Sequence, residues 1–168
     1  SARWNHNFDL TGRRVAVIGT GASAIQFVPE IVPKVQRLYL FQRSAAYVTP
    51  KPDRAYAPWE RALLARLPWL QRLDRCRQYV GHEVRAVAFI YLPAVMRLFE
   101  RSFGRHLARG VADPERRRQL TPDYPLGCKR ILISNNYFPA LARPHVEVVN
   151  DGIREVTERG LVTDDGRE

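Results

Sequence analysis

Arg14-Val15-Ala16-Val17-Ile18-Gly19-Thr20-Gly21-Ala22-Ser23-Ala24 reads as a buried strand that runs into a glycine turn and opens a helix. This is the pattern of a dinucleotide-binding fingerprint. Gly19 permits the tight turn, Gly21 has no side chain to hold a pyrophosphate off the backbone, and Ala24 is small enough for the helix to lie against the strand. Free N–H groups and the helix dipole at such a turn favour phosphate. The motif is short, but the strand before it and the helix after it supply the context that the chemistry requires.

The end of the next strand decides which nucleotide is expected. Leu38-Tyr39-Leu40-Phe41 follows the first helix, and in such folds the residue closing that strand meets the adenosine ribose about twenty positions past the glycines. An Asp or Glu there accepts from a ribose 2'-hydroxyl and repels a 2'-phosphate. This chain has Gln42-Arg43-Ser44 instead. Arg43 offers a planar fork of donors suited to phosphate and Ser44 a second donor, so the residues point to NADP(H) rather than NAD.

Composition narrows the remaining classes. At 168 residues with 45% hydrophobic content the chain can bury one real core. Its formal charge of +10 raises nucleic acid as a partner, yet the cations are interleaved with apolar and acidic residues throughout. The one run, Arg116-Arg117-Arg118, reads as a solvated helix face. With no recognition helix, zinc ligand set or stacking platform in the sequence, a nucleic-acid partner is not expected. Cys76 and Cys128 lack metal or redox spacing and read as packing residues in a reducing compartment, so a cytoplasmic location and no metal site are expected. The most apolar stretch, 86–96, is interrupted by Pro93 and too short to span a bilayer. No signal peptide is visible, although the chain does not begin with Met.

Along the chain, 14–18, 22–35 and 37–41 read as a β-α-β unit with Pro29 inside the helix. A proline-rich connector, Thr49-Pro50-Lys51-Pro52-Asp53, ends the alternation, and from Pro58 to Thr121 the texture is helical. The longest helix is expected over 83–109, with Val84, Val87, Tyr91, Val95, Leu98 and Phe99 on a core-facing side. Trp59, Trp69 and Tyr79 read as packing residues. His145-Val146-Glu147-Val148-Val149 reads as a third parallel strand, and 153–157 with 160–163 as an antiparallel hairpin. The expected fold is α/β: a Rossmann-type parallel sheet with a helical insertion and a C-terminal β-hairpin. Residues 12–50 and 122–168 would form the Rossmann-like core, and 51–121 the insertion. His6, His82, His106 and His145 show no ligand spacing, so surface or helix-capping roles are expected.

Several segments together resemble the NADP-binding domain of flavin-dependent monooxygenases, most closely the Baeyer–Villiger type. They are Trp4, the run from Asp9 through Gln26, Phe41-Gln42-Arg43-Ser44, and Gly127-Cys128-Lys129-Arg130 followed by Asn136-Tyr137-Phe138-Pro139-Ala140-Leu141. In that family a signature F-x-G-x-x-x-H-x-x-x-W precedes the nucleotide turn. Trp4 stands where its last residue falls, and counting back places the signature histidine one residue before Ser1. The family also carries an earlier glycine fingerprint for FAD and a later strand returning to the FAD domain, neither of which occurs here. The resemblance therefore implies an internal fragment that binds NADP and turns nothing over alone.

By the same resemblance, Gly19, Gly21, Ser23 and Ala24 hold the pyrophosphate, with Thr20, Ala22 and Gln26 in the same cofactor-binding segment. Arg43 and Ser44 take the 2'-phosphate, and Lys129 adds a second charge to it. Arg130 matches an arginine that reaches toward the flavin and stabilises negative charge during oxygen transfer. The implied cofactors are NADP(H) and FAD, the latter bound mainly by a domain outside this chain. The implied partners are that missing FAD domain, O2 and a small-molecule ketone or related substrate. Trp4 and Lys129-Arg130 favour the Baeyer–Villiger branch over N- or S-oxygenating flavin monooxygenases. The alternative of a different class is a non-catalytic NADP-binding module.

Overall fold

The computed structural model describes residues 3–91, 93–158 and 160–167. In chain order the elements are β1 (Arg14–Ile18), α1 (Ala24–Ile31), β2 (Arg37–Phe41), β3 (Val48–Thr49), α2 (Pro58–Arg66), α3 (Pro68–Tyr91) and α4 (Pro93–Gly110). There follow α5 (Pro114–Gln119), β4 (Leu132–Ile133), α6 (Tyr137–Leu141), β5 (Val146–Val149), β6 (Ile153–Val156) and β7 (Leu161–Thr163). The residues up to Lys51 and those from Ser102 onward form one compact unit, and Pro52–Arg101 form a second.

The first unit is built on the expected β-α-β pattern. β1 pairs in parallel with β2, and β2 in parallel with β5, giving the order β1-β2-β5. Parallel neighbours need a crossover, which α1 supplies between the first two strands. In central β2, Leu38 and Leu40 are fully buried and Phe41 nearly so, while Tyr39 is half-buried. Ile25, Val28 and Ile31 form the buried stripe of α1, and α1 packs on α6, where Phe138 and Leu141 are buried. β6 and β7 pair antiparallel, as the hairpin pattern implied.

Two short strands clasp the chain on either side of the helical stretch. Val48 and Thr49 of β3 pair in parallel with Leu132 and Ile133 of β4. Asn135 extends the clasp, accepting the Lys51 N–H at 2.8 Å and donating to the Lys51 carbonyl at 3.0 Å. Behind it lies an aromatic cluster in which the Phe103 ring meets Tyr47 at 4.9 Å and Phe138 at 6.1 Å, edge to face.

Several expectations are corrected. The helix read as 22–35 is α1 with a further turn, and Pro29 sits inside it without ending it. The helix expected over 83–109 begins earlier, with α3 covering Pro68–Tyr91 and α4 Pro93–Gly110; residue 92 lies outside the described residues. Val84, Val87, Tyr91 and Leu98, expected on a core face, are exposed, as are Trp59, Trp69 and Tyr79. Their periodicity reports an apolar face, not what covers it; the side chain of Val95 lies outside the described residues. Cys76 and Cys128 are exposed rather than packed. Arg116 is more than a solvated cation: it donates to the carbonyls of Leu141 at 2.9 Å and Arg143 at 3.2 Å, closing the end of α6. His145 takes a helix-end role, its Nε2 lying 2.9 Å from the carbonyl of Val32, the residue that caps α1.

In the second unit, Glu60 organises the start of α2. Its carboxylate accepts the Ala57 N–H at 2.7 Å and two bonds from Arg54, both at 2.7 Å. The guanidinium first, and the backbone bond second, hold its pKa down to about 2. Among the described residues no helix is long and apolar enough to cross a membrane, and no group of His, Cys, Asp or Glu could hold a metal ion.

Candidate functional site

The site begins where β1 ends. Gly19 has φ +94°, a conformation that any side chain would strain, and its N–H donates to the Phe41 carbonyl at 2.8 Å. That bond ties the carboxyl end of β1 to that of β2 and sends the turn off the sheet at the end where such folds bind ligands. Gly21 has no unusual φ, and a Cβ built on it would meet nothing within 4 Å. Neither backbone geometry nor packing within this chain requires glycine there; the room it leaves lies over the turn. Ser23 precedes α1 without donating or accepting a capping bond from its side chain, and the first turn carries no acidic residue. The amides of Ile25, Gln26 and Phe27 are bonded to the carbonyls of Gly21 and Ser23, and no side-chain cap of Ser23 covers those before them. Ala24 is buried where α1 meets the sheet.

A cleft of about 710 Å³ opens beside this turn, lined by Trp4, Phe8, Phe27, the length of β1 and Gly19 with Gly21–Ala24. The Trp4 and Phe27 rings meet at 5.3 Å, which gives Trp4 a place in the cleft wall. Gln26 is turned back on its own helix, donating to the Ala22 carbonyl at 3.1 Å.

The second half of the site is the end of β2. Gln42 is only 4% exposed and donates through Nε2 to the Gln119 carbonyl at 2.8 Å and Asn150 Oδ1 at 3.0 Å. With its amide held inward, the strand end is fixed and the next residue, Arg43, stands exposed. The Ser44 carbonyl accepts a long bond from Thr20 Oγ1 at 3.5 Å, linking the glycine turn to this segment. Lys129 Nζ donates to Ser44 Oγ at 2.7 Å. Arg130, the following residue, is exposed.

The contact between Ser44 and Lys129 follows from strand register. β3 and β4 pair Val48 with Leu132 and Thr49 with Ile133, and Lys51 meets Asn135, an offset of 84 positions. Ser44 and Lys129 are 85 apart, so the same parallel alignment carried a few residues back delivers the lysine to the serine. A turn sets the approach: the Cys128 N–H donates to the Pro125 carbonyl at 3.2 Å, with Gly127 at φ +99°, the glycine position of a type II turn. Leu126, buried at the turn, anchors it.

Thr20, Ser44 and Lys129 are thus brought together, with Arg43 beside them in the chain. Two residues to which the sequence reading gave no role also belong here. Gln42 shows itself as a polar residue closing an apolar strand; Tyr124 gives no local signal, since its role depends on the turn that folds Lys129 back. The Lys129 ammonium sits over the Tyr124 ring, 4.1 Å from its centre.

Known proteins share this architecture. No family model matches the chain. A Baeyer–Villiger monooxygenase of Pseudomonas aeruginosa is 52% identical over 168 residues, which is all of this chain and 32% of that protein. One of Streptomyces coelicolor is 50% identical over the same span, again 32% of its length. Among solved structures, an oxidised steroid monooxygenase bound to NADP superposes with a TM-score of 0.81 at 29% identity, covering 99% of this chain and 39% of its own. The chain spans about a third of the length of the relatives that it matches, and over that span it is similar to monooxygenases of the Baeyer–Villiger type.

Proposed function

We propose that the protein binds NADP(H), with the pyrophosphate over Gly19–Ala24 and the 2'-phosphate among Arg43, Ser44 and Lys129. In this reading it is the nicotinamide-nucleotide-binding part of an NADPH- and FAD-dependent monooxygenase that inserts one oxygen atom from O2 into a ketone or related small molecule. Residues 12–50 and 122–168 serve as the nucleotide-binding core and 51–121 as a helical insertion. The observation that carries the nucleotide assignment is the Lys129–Ser44 bond of 2.7 Å beside Arg43, a cationic cluster where the strand end meets the ribose. An ammonium and a guanidinium there attract a dianionic phosphate, and no carboxylate stands at the strand end to accept from a free 2'-hydroxyl.

The residues fit a dinucleotide: Gly21 leaves room for one, and the uncapped start of α1 offers amides to its phosphates. When bound, NADPH supplies a hydride and FAD the oxygen chemistry. The steps assigned to this chain are binding and charge placement. The glycine turn seats the pyrophosphate, Lys129 and Arg43 neutralise the 2'-phosphate, and Arg130 would place a guanidinium where negative charge develops on oxygen. FAD is held mainly by the remainder of a longer chain, so the 168 residues alone bind NADP without turnover. The 32% coverage of the Pseudomonas relative supports this division.

Calorimetric titration tests the nucleotide assignment. NADP should bind more tightly than NAD, and Arg43→Ala should lower NADP affinity about 10- to 100-fold while leaving NAD unchanged, the range of one charged hydrogen bond. Equal binding of the two nucleotides would contradict it. Product analysis of the longer protein tests the chemistry: esters or lactones from ketones are expected, and exclusive N- or S-oxygenation would overturn the Baeyer–Villiger reading.

A further inference from the structure

The Lys129 ammonium lies between two partners, the Ser44 hydroxyl at 2.7 Å and the face of the Tyr124 ring at 4.1 Å. An exposed lysine on a four-carbon stem ordinarily samples many rotamers, and holding one costs entropy. Here one side of the ammonium is covered by a ring that is itself fixed at both ends. The Tyr124 hydroxyl donates to the Ala45 carbonyl at 3.0 Å, and its ring stands edge-on to Tyr47 at 5.5 Å. The reciprocal bond, Tyr47 hydroxyl to Tyr124 carbonyl at 3.0 Å, closes the pair. Partial burial raises the Tyr124 pKa, so the ring stays neutral and its face presents only the attractive quadrupole.

The two tyrosines also join the segments that carry the cations. Tyr47 follows Arg43-Ser44 on the way into β3, and Tyr124 precedes the turn at 125–128 that folds Lys129 back. We propose that Tyr124 is a positioning residue for Lys129 and, through it, a determinant of NADP over NAD. This rests on the reading that Lys129 meets the 2'-phosphate. With its ammonium preset against the ring and Ser44 Oγ, Lys129 accepts the phosphate without first losing its rotamer freedom. NAD has no group at that point and gains nothing from the arrangement.

The test is a set of NADP and NAD titrations on the protein and on Tyr124→Phe, Tyr124→Leu, Lys129→Met and the Tyr124→Leu/Lys129→Met double variant. Phe keeps the ring face and should keep the NADP preference. Leu removes it and should lower NADP affinity about 2- to 5-fold, the size of a cation–π contact near the surface, with NAD unchanged. In the Lys129→Met background the Leu substitution should have no further effect on the NADP-to-NAD ratio. If Lys129→Met lowers the ratio and Tyr124→Leu does not, the role of Tyr124 is overturned while the phosphate site stands. A Leu variant that weakens both nucleotides equally makes Tyr124 a purely structural residue, which also overturns the proposal. If Lys129→Met leaves the ratio unchanged, the underlying phosphate assignment fails, and the proposal with it.

Discussion

Gly19 and Gly21 are the same residue type in one motif, but the structure separates their reasons. Gly19 needs its positive φ, so Gly19→Ala should cost about 1–2 kcal/mol of stability, measured by denaturant unfolding, besides moving the turn. Gly21 is under no such demand, and Gly21→Ala should leave stability almost unchanged while weakening nucleotide binding. Tyr137 offers a contrast. Its hydroxyl is buried with no hydrogen-bond partner among the described residues, and burial pushes its pKa up. Tyr137→Phe should therefore raise stability by up to about 1 kcal/mol, seen as a higher melting temperature, because a buried hydroxyl without a partner is a net cost. Geometry set by neighbours in the chain was legible in the sequence: the glycine turn, the exposed Arg43 after an apolar strand. Roles set by distant residues were not. Nothing near Tyr124 announces that a lysine five residues on would fold back over its ring.

At the scale of elements, the β-α-β unit and the final hairpin were readable because each has a local hydrophobic period and its partner close by. The β3–β4 clasp was not. Two-residue strands carry no period, and their pairing spans 84 positions, so only the folded chain reveals the register that delivers Lys129 to Ser44. The apolar periodicity of α3 was read correctly as amphipathic and wrongly as covered, since pattern alone does not say what packs against a face. Electrostatics at the start of α2 gives a pH test. The Glu60 pKa is lowered to about 2, chiefly by Arg54, so its stabilising contacts are complete above the ordinary carboxylate range and lost as pH falls through it toward 2. Protection against hydrogen exchange at Ala57 and in the first turn of α2, measured relative to the intrinsic rate at each pH, should fall between about pH 4.5 and 2. Glu60→Gln should remove most of that pH dependence while leaving the amides measurable.

For the whole molecule, the candidate site joins residues from both ends of the chain, Gly19–Ser44 and Lys129, across the long helical stretch between them. A ligand seated on all of them should stabilise the first unit as a body. NADP at a hundred times its dissociation constant is expected to add about 2.7 kcal/mol to unfolding. The most direct test of the central claim is a map of backbone amide shifts in the isotope-labelled protein titrated with NADP and then with NAD. The expected result is that both nucleotides move Gly19–Ala24 while only NADP moves Arg43, Ser44 and Lys129. Shifts by NADP that spare the glycine turn, or NAD moving Ser44 and Lys129 as strongly as NADP does, would contradict it.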